Sequence, residues 1–560
     1  MRAPLDVLVV GAGPGGLATA IKLKRLADEA GHDLSLAVID KAPQPGYHNL
    51  SGAVVDPRPL EELTPGWREH RQLAKHTSPV EQDDMYFLLG SRAIRIPELM
   101  APSSMDHSDD IIVSISRLAG YLATEAEEEG VEVYSGFSAR QLIIEDGRVN
   151  GVHLGEVGLD ADGGQMSNYR PAEEIRARVT VLADGTRGVL SEQLREHFGT
   201  GQNPQVYSLG AKAVMQFKDE HPFGAGHVAH FLGYPLPQNV FGGGFMYAMD
   251  AHTIALGLIM ALDWKFGDLN PQKELERFRQ HPFVAQQIEG GATIATGART
   301  IPEGGYYAIG KINVPGALVV GDGAGFVNME KIKGIHNAMW SGMAAAETIA
   351  AGLAAGDGEI ELKGYQDRLE ANGVLPEMRH ARNYRQVFKW GLYVGAPLSQ
   401  VAHLLPMRLR MEPDREGTSA GARIGREDPD GLDGATFVSL TGALHREDEA
   451  AHMTIGDPAR CQTCAEDYAA SCQSFCPGQV YRWDGEKIVL SPSNCLHCMT
   501  CAVKGPLDNI TWQPPEGGEG PRFAQMESGG SGALVVAEPG SPGADGDAVA
   551  GALASLVGDA

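Results

Sequence analysis

Seven cysteines crowd into one short stretch of this 560-residue chain, between Cys461 and Cys501, and the preceding residues contain none. Thiolates bind soft metals and iron–sulfur clusters. A disulfide framework would instead spread its cysteines over a small secreted domain. The crowding therefore indicates a metal site in a protein that works in a reducing compartment.

The spacing of these cysteines is typical of a ferredoxin. The second half of the stretch reads Cys495-Leu-His-Cys498-Met-Thr-Cys501, and the first half ends in Cys476-Pro477. In bacterial ferredoxins the cysteine before proline binds the cluster of the opposite half. We therefore predict that one [4Fe–4S] cluster is held by Cys476, Cys495, Cys498 and Cys501. Zinc is the alternative, although zinc knuckles use pairs of cysteines.

Three cysteines are left over: Cys461, Cys464 and Cys472. The run Cys464-x₇-Cys472-x₃-Cys476-Pro matches the spacing that precedes a [3Fe–4S] cluster, but the distal ligand position holds Gly505. Cys461 would have to replace that ligand, from what we expect to be the wrong side of the fold. The sequence predicts one cluster with about four irons, and a second [3Fe–4S] centre is the alternative.

A second motif, near the N-terminus, is typical of dinucleotide binding. An apolar strand at Asp6–Val10 precedes Gly11-Ala-Gly13-Pro-Gly-Gly16, and the next strand ends at Asp40. Gly11 permits the tight turn, Gly13 admits the pyrophosphate and Gly16 lets helix and strand pack closely. Asp40 is predicted to accept hydrogen bonds from a ribose, and the pyrophosphate to meet the helix N-terminus.

Later segments favour FAD over NAD as the dinucleotide. VVGDGAGFVN contains Asp322 and Gly325 after a buried strand, where FAD enzymes bind the ribityl chain. VLADGTRG contains Asp184 and resembles their intermediate Asp-Gly motif, with a plain β-turn as the alternative. Arg117 stands where such flavoproteins often place an FAD-contacting arginine, with a surface arginine as the alternative.

The predicted FAD-binding set is completed by Ser51 and by a helix start at Gly334-Ile335. The N–H groups at that helix start would stabilise negative charge on a reduced flavin ring. We expect no acid–base catalytic residue, because the redox chemistry belongs to the cofactors.

These elements predict an α/β FAD-binding Rossmann-like fold with an inserted antiparallel β-sheet and a C-terminal ferredoxin-like iron–sulfur domain. The segments are FAD-binding (1–203 and 302–375), an inserted β domain (204–301), a helical connector (376–439), the cluster domain (440–523) and a disordered acidic tail (524–560).

The composition argues against nucleic-acid binding but leaves contact with a membrane surface open. The net charge of −26 argues against nucleic-acid binding, which needs a basic face. No apolar run reaches the length of a transmembrane helix, and no export signal is expected before the first strand. Apolar residues at helical spacing in Val387–Leu409 predict contact with a membrane surface, with packing on the FAD domain as the alternative.

With these motifs in view, the sequence resembles the electron transfer flavoprotein–quinone oxidoreductase family. The matching segments are LSGAVVDPR (50–58), GYPLPQNVFGGGFMY (233–247), EGGATIATGARTIPEGG (289–305), GFVNMEKIKGIHNAMWSGMAAAE (325–347) and NITWQPPEGGEGP (509–521).

The resemblance implies a monotopic enzyme on the cytoplasmic face of the cell membrane. It would take electrons from reduced electron transfer flavoprotein and reduce ubiquinone or menaquinone. The family's quinone pocket would be lined here by the backbone of Phe241, Gly242 and Gly243. An FAD-dependent prenyl (geranylgeranyl) reductase and a non-catalytic electron-relay subunit are the alternatives.

Overall fold

The structure is a computed structural model that describes residues 4–50, 52–97, 99, 103–355, 360 and 362–527. The predicted disordered tail (524–560) lies outside the described residues from position 528 onward, as does the short helix predicted at Ala548–Val557. Its first residues, 524–527, are not disordered: they belong to a helix over Phe523–Glu527, which the buried Phe523 helps to hold against the strand Ala292–Pro302.

The strands alternate with helices in the first part of the chain and follow one another directly in the middle. The strands are β1 (Leu5–Val10), β2 (Leu36–Asp40), β3 (Ala53–Val55), β4 (Thr77–Pro79), β5 (Gln82–Leu89), β6 (Arg92–Arg95), β7 (Ile111–Val113), β8 (Glu132–Ser135), β9 (Ala139–Glu145), β10 (Arg148–Leu154), β11 (Val157–Leu159), β12 (Gln165–Arg170), β13 (Glu174–Leu182), β14 (Tyr207–Gln216), β15 (His227–Gly233), β16 (Gly242–Asp250), β17 (Thr253–Ala261), β18 (Ala292–Pro302), β19 (Asn313–Val314), β20 (Ala317–Val319), β21 (Met453–Ile455), β22 (Tyr481–Trp483), β23 (Ile488–Leu490) and β24 (Ile510–Trp512).

The α-helices are short outside the first half of the FAD domain and α9. They are α1 (Pro14–Glu29), α2 (Arg58–Leu63), α3 (Arg71–Ala74), α4 (Ile115–Glu128), α5 (Val189–Phe198), α6 (Pro271–Gln280), α7 (Pro282–Gln287), α8 (Gly321–Ala324), α9 (Ile335–Ala354), α10 (Tyr365–Ala371), α11 (Val374–His380), α12 (Tyr384–Val387), α13 (Leu392–Ser399), α14 (Gly434–Ser439), α15 (Pro458–Tyr468), α16 (Cys472–Phe475), α17 (Cys501–Lys504) and α18 (Phe523–Glu527).

A parallel sheet forms the FAD-binding part, in the order β20-β13-β1-β2-β8. Its central strand β1 reads as a continuous apolar run because both faces are covered, and Val7, Leu8 and Val9 are fully buried. Strand β20 comes about 300 residues after β1 yet pairs with β13. The nucleotide fold is therefore discontinuous, as the sequence predicts.

An antiparallel sheet fills the middle of the chain, in the order β18-β14-β17-β16-β15. Alternating apolar residues produce these strands. One face packs on β3 and β7 of the N-terminal part, and the other packs on α6 and on the cysteine-bearing segment. Strands β5 and β6, from residues 82–95, extend the same sheet beyond β15. The sheet thus includes residues from outside the inserted segment.

The cysteine-bearing segment forms two small hairpin-like sheets, β21-β24 and β22-β23, joined by short helices. It packs on the antiparallel sheet through backbone bonds such as Thr300 N to Cys498 O (3.1 Å). Among the residues that the structure describes, we find no helix with the length and apolarity needed to span a bilayer.

Candidate FAD and iron–sulfur site

A cavity of about 400 Å³ opens where β1, β2, β13 and β20 end. The carboxyl ends of parallel strands are the usual ligand site of such sheets. Of the residues predicted from sequence to bind FAD, the cavity is lined by Gly11, Gly13, Asp40, Asp184, Asp322, Gly334 and Ile335.

The three motif glycines have the local geometry that a dinucleotide fingerprint requires. Gly11 has φ +114°, and a Cβ there would lie 2.2 Å from the carbonyl oxygen of Ala183. A Cβ on Gly16 would lie 2.0 Å from the carbonyl oxygen of Gly11, so helix and turn touch there. A Cβ on Gly13 would meet nothing within 4 Å, which leaves room for a ligand.

Two helices begin at the cavity wall. Helix α1 starts after Gly13 and α9 starts after Gly334, and neither N-cap residue satisfies an N–H group through its side chain. The N–H groups of the first turn carry the positive end of the helix dipole. The cavity therefore offers one anion site suited to a pyrophosphate and a second suited to a reduced flavin.

The three carboxylates differ in their surroundings. Asp40 accepts hydrogen bonds from the N–H groups of Ala12 and Ala42, both at 2.7 Å. Asp184 accepts from the N–H groups of Leu190 and Ser191 at 3.0 Å, so it anchors the start of α5 as well as lining the cavity.

Asp322 is the carboxylate most affected by burial. Burial raises its pKa to about 6, and the charge of Arg299 opposes that rise. Arg299 lines the same cavity, and burial lowers its own pKa in turn. The two groups therefore bring opposite charges to the same cavity wall, which is suited to orienting hydroxyl groups of a ligand.

Of the residues predicted to contact FAD, three do not line the cavity and a fourth lies outside the residues that the structure describes. Gly16 and Gly325 do not line the cavity; Gly325 ends α8 in the left-handed region with φ 82°. Arg117 lies on α4, where its N–H donates to the Ser114 hydroxyl at 3.3 Å. Ser51 lies outside the described residues. All individual FAD contacts remain predictions.

Several cavity residues are missed by sequence reasoning: Lys41, His48, Lys212, Arg299 and Trp512. His48 is half-buried, and both of its ring nitrogens are shielded from solvent. Burial, with the nearby charges of Lys41 and Arg299, holds its pKa well below the usual value, and a backbone hydrogen bond with Glu519 opposes that shift. A neutral imidazole in the cavity wall can donate or accept a hydrogen bond with a polar ligand.

The four predicted cluster ligands come together beside this cavity. Cys476, Cys495 and Cys498 are buried and Cys501 is half-buried. Burial is the main cause of the raised pKa of Cys476, and the neighbouring charges of Cys498, Cys501 and Cys495 add to it. The four sulfur atoms therefore lie near enough to influence one another's ionisation, as the ligands of a single iron–sulfur cluster must.

The cluster loop forms part of the cavity wall. Met499, next to the ligand Cys498, lines the cavity. Arg299 donates a hydrogen bond to the carbonyl oxygen of the adjacent His497 (2.7 Å). Met499 thus stands between the ligand Cys498 and the space for FAD, so the two cofactors would be neighbours.

A group of buried histidines covers the same loop. Nε2 of His497 lies 3.0 Å from Nε2 of His445, and His452 stacks on His445. Burial, followed by the charge of His445, lowers the pKa of His452 to about 3, and burial holds that of His497 well below 6.5. Their lowered pKa values favour the neutral form, so in the bonded pair one of the two Nε2 atoms of His445 and His497 donates and the other accepts.

The remaining cysteines do not lie where the sequence suggests. Cys461, Cys464 and Cys472 all line a second, smaller cavity, together with Gly505. The expectation that Cys461 approaches from the wrong side of the fold is wrong, because α15 and the turn after it bring Cys461 to this cavity.

The predicted quinone residues Phe241, Gly242 and Gly243 do not line the FAD cavity. Gly242 and Gly243 begin β16 and pair with β17. The Phe241 ring lies 4.6 Å from the Phe388 ring, centroid to centroid, and 4.4 Å from the Arg385 guanidinium. The segment therefore abuts the connector that follows α12.

The fold and the two sites define an FAD-dependent oxidoreductase with an iron–sulfur domain. Family models match in three places: an FAD binding domain at 4–253, an ETF-QO ubiquinone-binding domain at 207–301, and an electron transfer flavoprotein–ubiquinone oxidoreductase 4Fe-4S domain at 431–524. The chain thus binds FAD and one [4Fe–4S] cluster.

Relatives agree with these models over nearly the whole chain. The chain is 37% identical to the mitochondrial electron transfer flavoprotein–ubiquinone oxidoreductase of Arabidopsis thaliana, covering 93% of this chain and 84% of that protein. It is 36% identical to the Pseudomonas aeruginosa protein of that name, covering 93% and 98%. The chain belongs to the electron transfer flavoprotein–ubiquinone oxidoreductase family.

A solved structure supports the fold alone. A geranylgeranyl bacteriochlorophyll reductase-like protein from Thermoplasma acidophilum aligns with a TM-score of 0.50 and 18% identity, over 71% of this chain and 96% of that one.

Proposed function

We propose that this protein takes electrons from reduced electron transfer flavoprotein and delivers them to a membrane quinone, through FAD and one [4Fe–4S] cluster. The observation that carries the proposal is the shared wall: Met499 belongs to both the cluster loop and the FAD cavity. A prenyl reductase would need the FAD cavity but has no use for a cluster beside it.

FAD exchanges one or two electrons, and the cluster exchanges one. Together they can accept electrons singly from the donor flavoprotein and deliver the two that reduction of a quinone requires. The protein's own groups set the electrostatics of this exchange. The α9 N-terminus and Arg299 place positive charge beside the space for the flavin ring. The neutral His497 and His445 add no charge at the cluster loop.

Phe241, Gly242 and Gly243 are our candidates for the quinone contacts. Glycine lets a quinone carbonyl approach the backbone closely, and the ring of Phe241 offers an apolar wall. The loop that precedes these residues is joined to α13, since the carbonyl oxygen of Gln238 accepts a hydrogen bond from the N–H of Leu392 (2.7 Å). The candidate quinone contacts therefore lie next to the connector that carries α13. Ubiquinone and menaquinone fit the same contacts.

The connector around α13 exposes large apolar side chains, which we call the apolar patch. Its members are Trp390, Tyr393, Val394, Leu398, Val401, Leu404 and Met407. Val387, grouped with them by helical spacing, is fully buried instead. Such a patch beside the candidate quinone segment supports a monotopic seat on the membrane surface.

The β5–β6 hairpin extends this patch. Leu89 and Ile94 are about half exposed, and the Phe87 ring lies 6.3 Å from the Tyr393 ring. A lipid-soluble quinone arrives from the bilayer. If the apolar patch rests on the membrane, the quinone has only a short path to its candidate contact at Phe241. The seven cysteines between Cys461 and Cys501 are free of disulfide bonds, which supports a reducing compartment, and we place the protein on the cytoplasmic face of the membrane.

Turnover by the purified protein tests the proposal. The protein, loaded with FAD and cluster, should oxidise reduced electron transfer flavoprotein and reduce a short-chain quinone. Cys498→Ser should keep its FAD, lose nearly all the [4Fe–4S] iron and lose quinone reduction. A loaded protein that accepts electrons but never reduces quinone would instead be a relay subunit.

A further inference from the structure

The second cavity gathers the three cysteines that the [4Fe–4S] cluster does not use. Cys461 and Cys472 are buried and Cys464 is half-buried, and all three are unpaired thiols. The same cavity is lined by Gly505 and by the side chains of Arg460 and Asn509. Neither the FAD cavity nor the [4Fe–4S] site includes any of these residues.

Two helices direct the cysteines to this point. Cys461 and Cys464 are three residues apart on α15 and so share one helix face. The chain then reverses through Ala469 and Ala470, both in the left-handed region with φ 58° and 47°. Cys472 begins α16 directly after that turn. Left-handed alanine is uncommon, so packing rather than local preference holds the turn.

An amide donor approaches one of the sulfur atoms, and an arginine lines the same cavity. Nδ2 of Asn509 lies 3.6 Å from Sγ of Cys461. Asn509 is fixed by two hydrogen bonds with the backbone of Asp457, both at 2.8 Å. Amide donors and a nearby cation such as Arg460 stabilise anionic sulfur at iron–sulfur centres.

We propose that Cys461, Cys464 and Cys472 hold a second metal centre, a [3Fe–4S] cluster with one thiolate on each iron. Cys461 takes the place of the distal cysteine whose position in the spacing is occupied by Gly505. Both residues line the cavity, so Cys461 lies on the same side of the fold as the position that it would replace.

Zinc fits this site less well than a cluster. A tetrahedral zinc ion holds its sulfur ligands about 3.8 Å apart, given Zn–S bonds of about 2.3 Å. Among the described residues, the sets of three or more metal-ligating atoms within 4.8 Å of one another contain no cysteine. The cavity wall also has no histidine or carboxylate to act as the fourth ligand. In a cluster the thiolates bind different irons and stand further apart.

The cavity itself is small, about 30 Å³, so a cluster would displace one wall. Helix α15 is suited to that movement, because most of its residues are exposed and Cys461 is its buried member. The two centres would be neighbours: Cys472 and Cys476 are one turn apart, and the N–H of Cys476 donates to the carbonyl of Cys472 (3.3 Å). One electron leaving one cluster could then reduce the other.

Metal analysis tests this proposal independently of quinone chemistry. Protein purified under nitrogen should contain about seven irons per FAD, four from one cluster and three from the other. It should also show a paramagnetic signal when oxidised, since an oxidised three-iron cluster has an unpaired electron and an oxidised [4Fe–4S] cluster does not. Four irons without that signal, or one zinc in place of the extra irons, would overturn it.

Variants locate the extra iron. Cys472→Ser should reduce the iron to about four per FAD and abolish the oxidised-state signal, with FAD content unchanged. Cys461→Ser, on the largely exposed helix α15, should also lose the extra iron and the oxidised-state signal. It provides the test if Cys472→Ser fails to fold. Ser474→Ala, on the same short helix as Cys472 but outside the cavity, is the matched control and should keep all the iron. Variants that keep seven irons would contradict the assignment.

Discussion

Nη1 of Arg299 donates a hydrogen bond to the carbonyl oxygen of His497, across 2.7 Å. Arg299 lies on β18, at the wall of the FAD cavity, and His497 lies between two cluster ligands. The next residue on the strand repeats the link, because the N–H of Thr300 donates to the carbonyl of Cys498 (3.1 Å). One strand edge thus fixes the cluster loop against the FAD cavity and places a half-buried positive charge beside both.

Arg299→Gln should therefore lower the reduction potential of the cluster. A nearby positive charge favours the reduced, more negative state, and its removal should shift the potential by about −60 mV, a tenfold change for one electron. The measurement is a redox titration followed by electron paramagnetic resonance, after iron content is shown to be unchanged. Arg410→Gln, at an exposed position, is the control. An unchanged or higher potential in Arg299→Gln would show that the guanidinium acts only as a structural link.

Acid should weaken the segment that begins α9. Glu377 accepts hydrogen bonds from His336 (2.9 Å) and Lys331 (2.6 Å). Burial alone would raise its pKa, but these partners outweigh burial and hold the pKa well below the usual value. A depressed folded pKa stabilises the fold above the unfolded pKa of about 4.5, and that contribution is lost as the pH falls toward the folded value.

Glu377→Gln should accordingly lower the melting temperature at pH 7 by an amount equivalent to about 2 kcal/mol, and the difference from the unaltered protein should shrink below pH 5. Thermal melts followed by release of flavin fluorescence at several pH values would measure it. Glu370→Gln, whose carboxylate pairs with Arg379 at a more exposed position, is the control. A difference that does not depend on pH would contradict the linkage argument.

The sequence could predict what is encoded locally. The turn at Gly11, the strand ending at Asp40 and the spacing of Cys495, Cys498 and Cys501 need only neighbouring residues, so their types identify them. Arg299 and Trp512 could not be assigned in this way. They reach the FAD cavity from β18 and β24, far apart in the chain, and only the packing of the cluster domain on the antiparallel sheet brings them there.

The position of Cys461 also could not be predicted from the sequence. Its position depends on the left-handed turn at Ala469 and Ala470, a conformation for which alanine has no preference. The spacing alone therefore placed Cys461 on the wrong side, while the fold brings it to Gly505.

Phe241 should affect quinone affinity more than stability. Removing its ring with Phe241→Ala should raise the KM for a short-chain quinone about tenfold, equivalent to about 1.4 kcal/mol of lost contact, with FAD and iron retained. Gly243→Leu is a poorer test, because a Cβ there would lie 2.4 Å from the carbonyl oxygen of Phe231 and disturb the β15–β16 pairing. Phe198→Ala, on α5, is the control for general loss of packing. Equal KM values for the two variants would argue against a quinone contact at Phe241.

The apolar patch should hold the protein on lipid. Trp390 and Leu398 are 50% and 38% exposed, so replacing both with aspartate should leave the core intact while placing charge where the patch meets acyl chains. The unaltered protein should sediment with vesicles of phosphatidylethanolamine and phosphatidylglycerol even in high salt, which screens electrostatic attraction but not apolar insertion. The double variant should stay in the supernatant with its FAD and iron. Leu444→Asp introduces a charge at a 54% exposed leucine of the cluster domain and should still sediment. If the double variant remains bound to vesicles, or if Leu444→Asp is released as readily, the patch is not the membrane-binding surface.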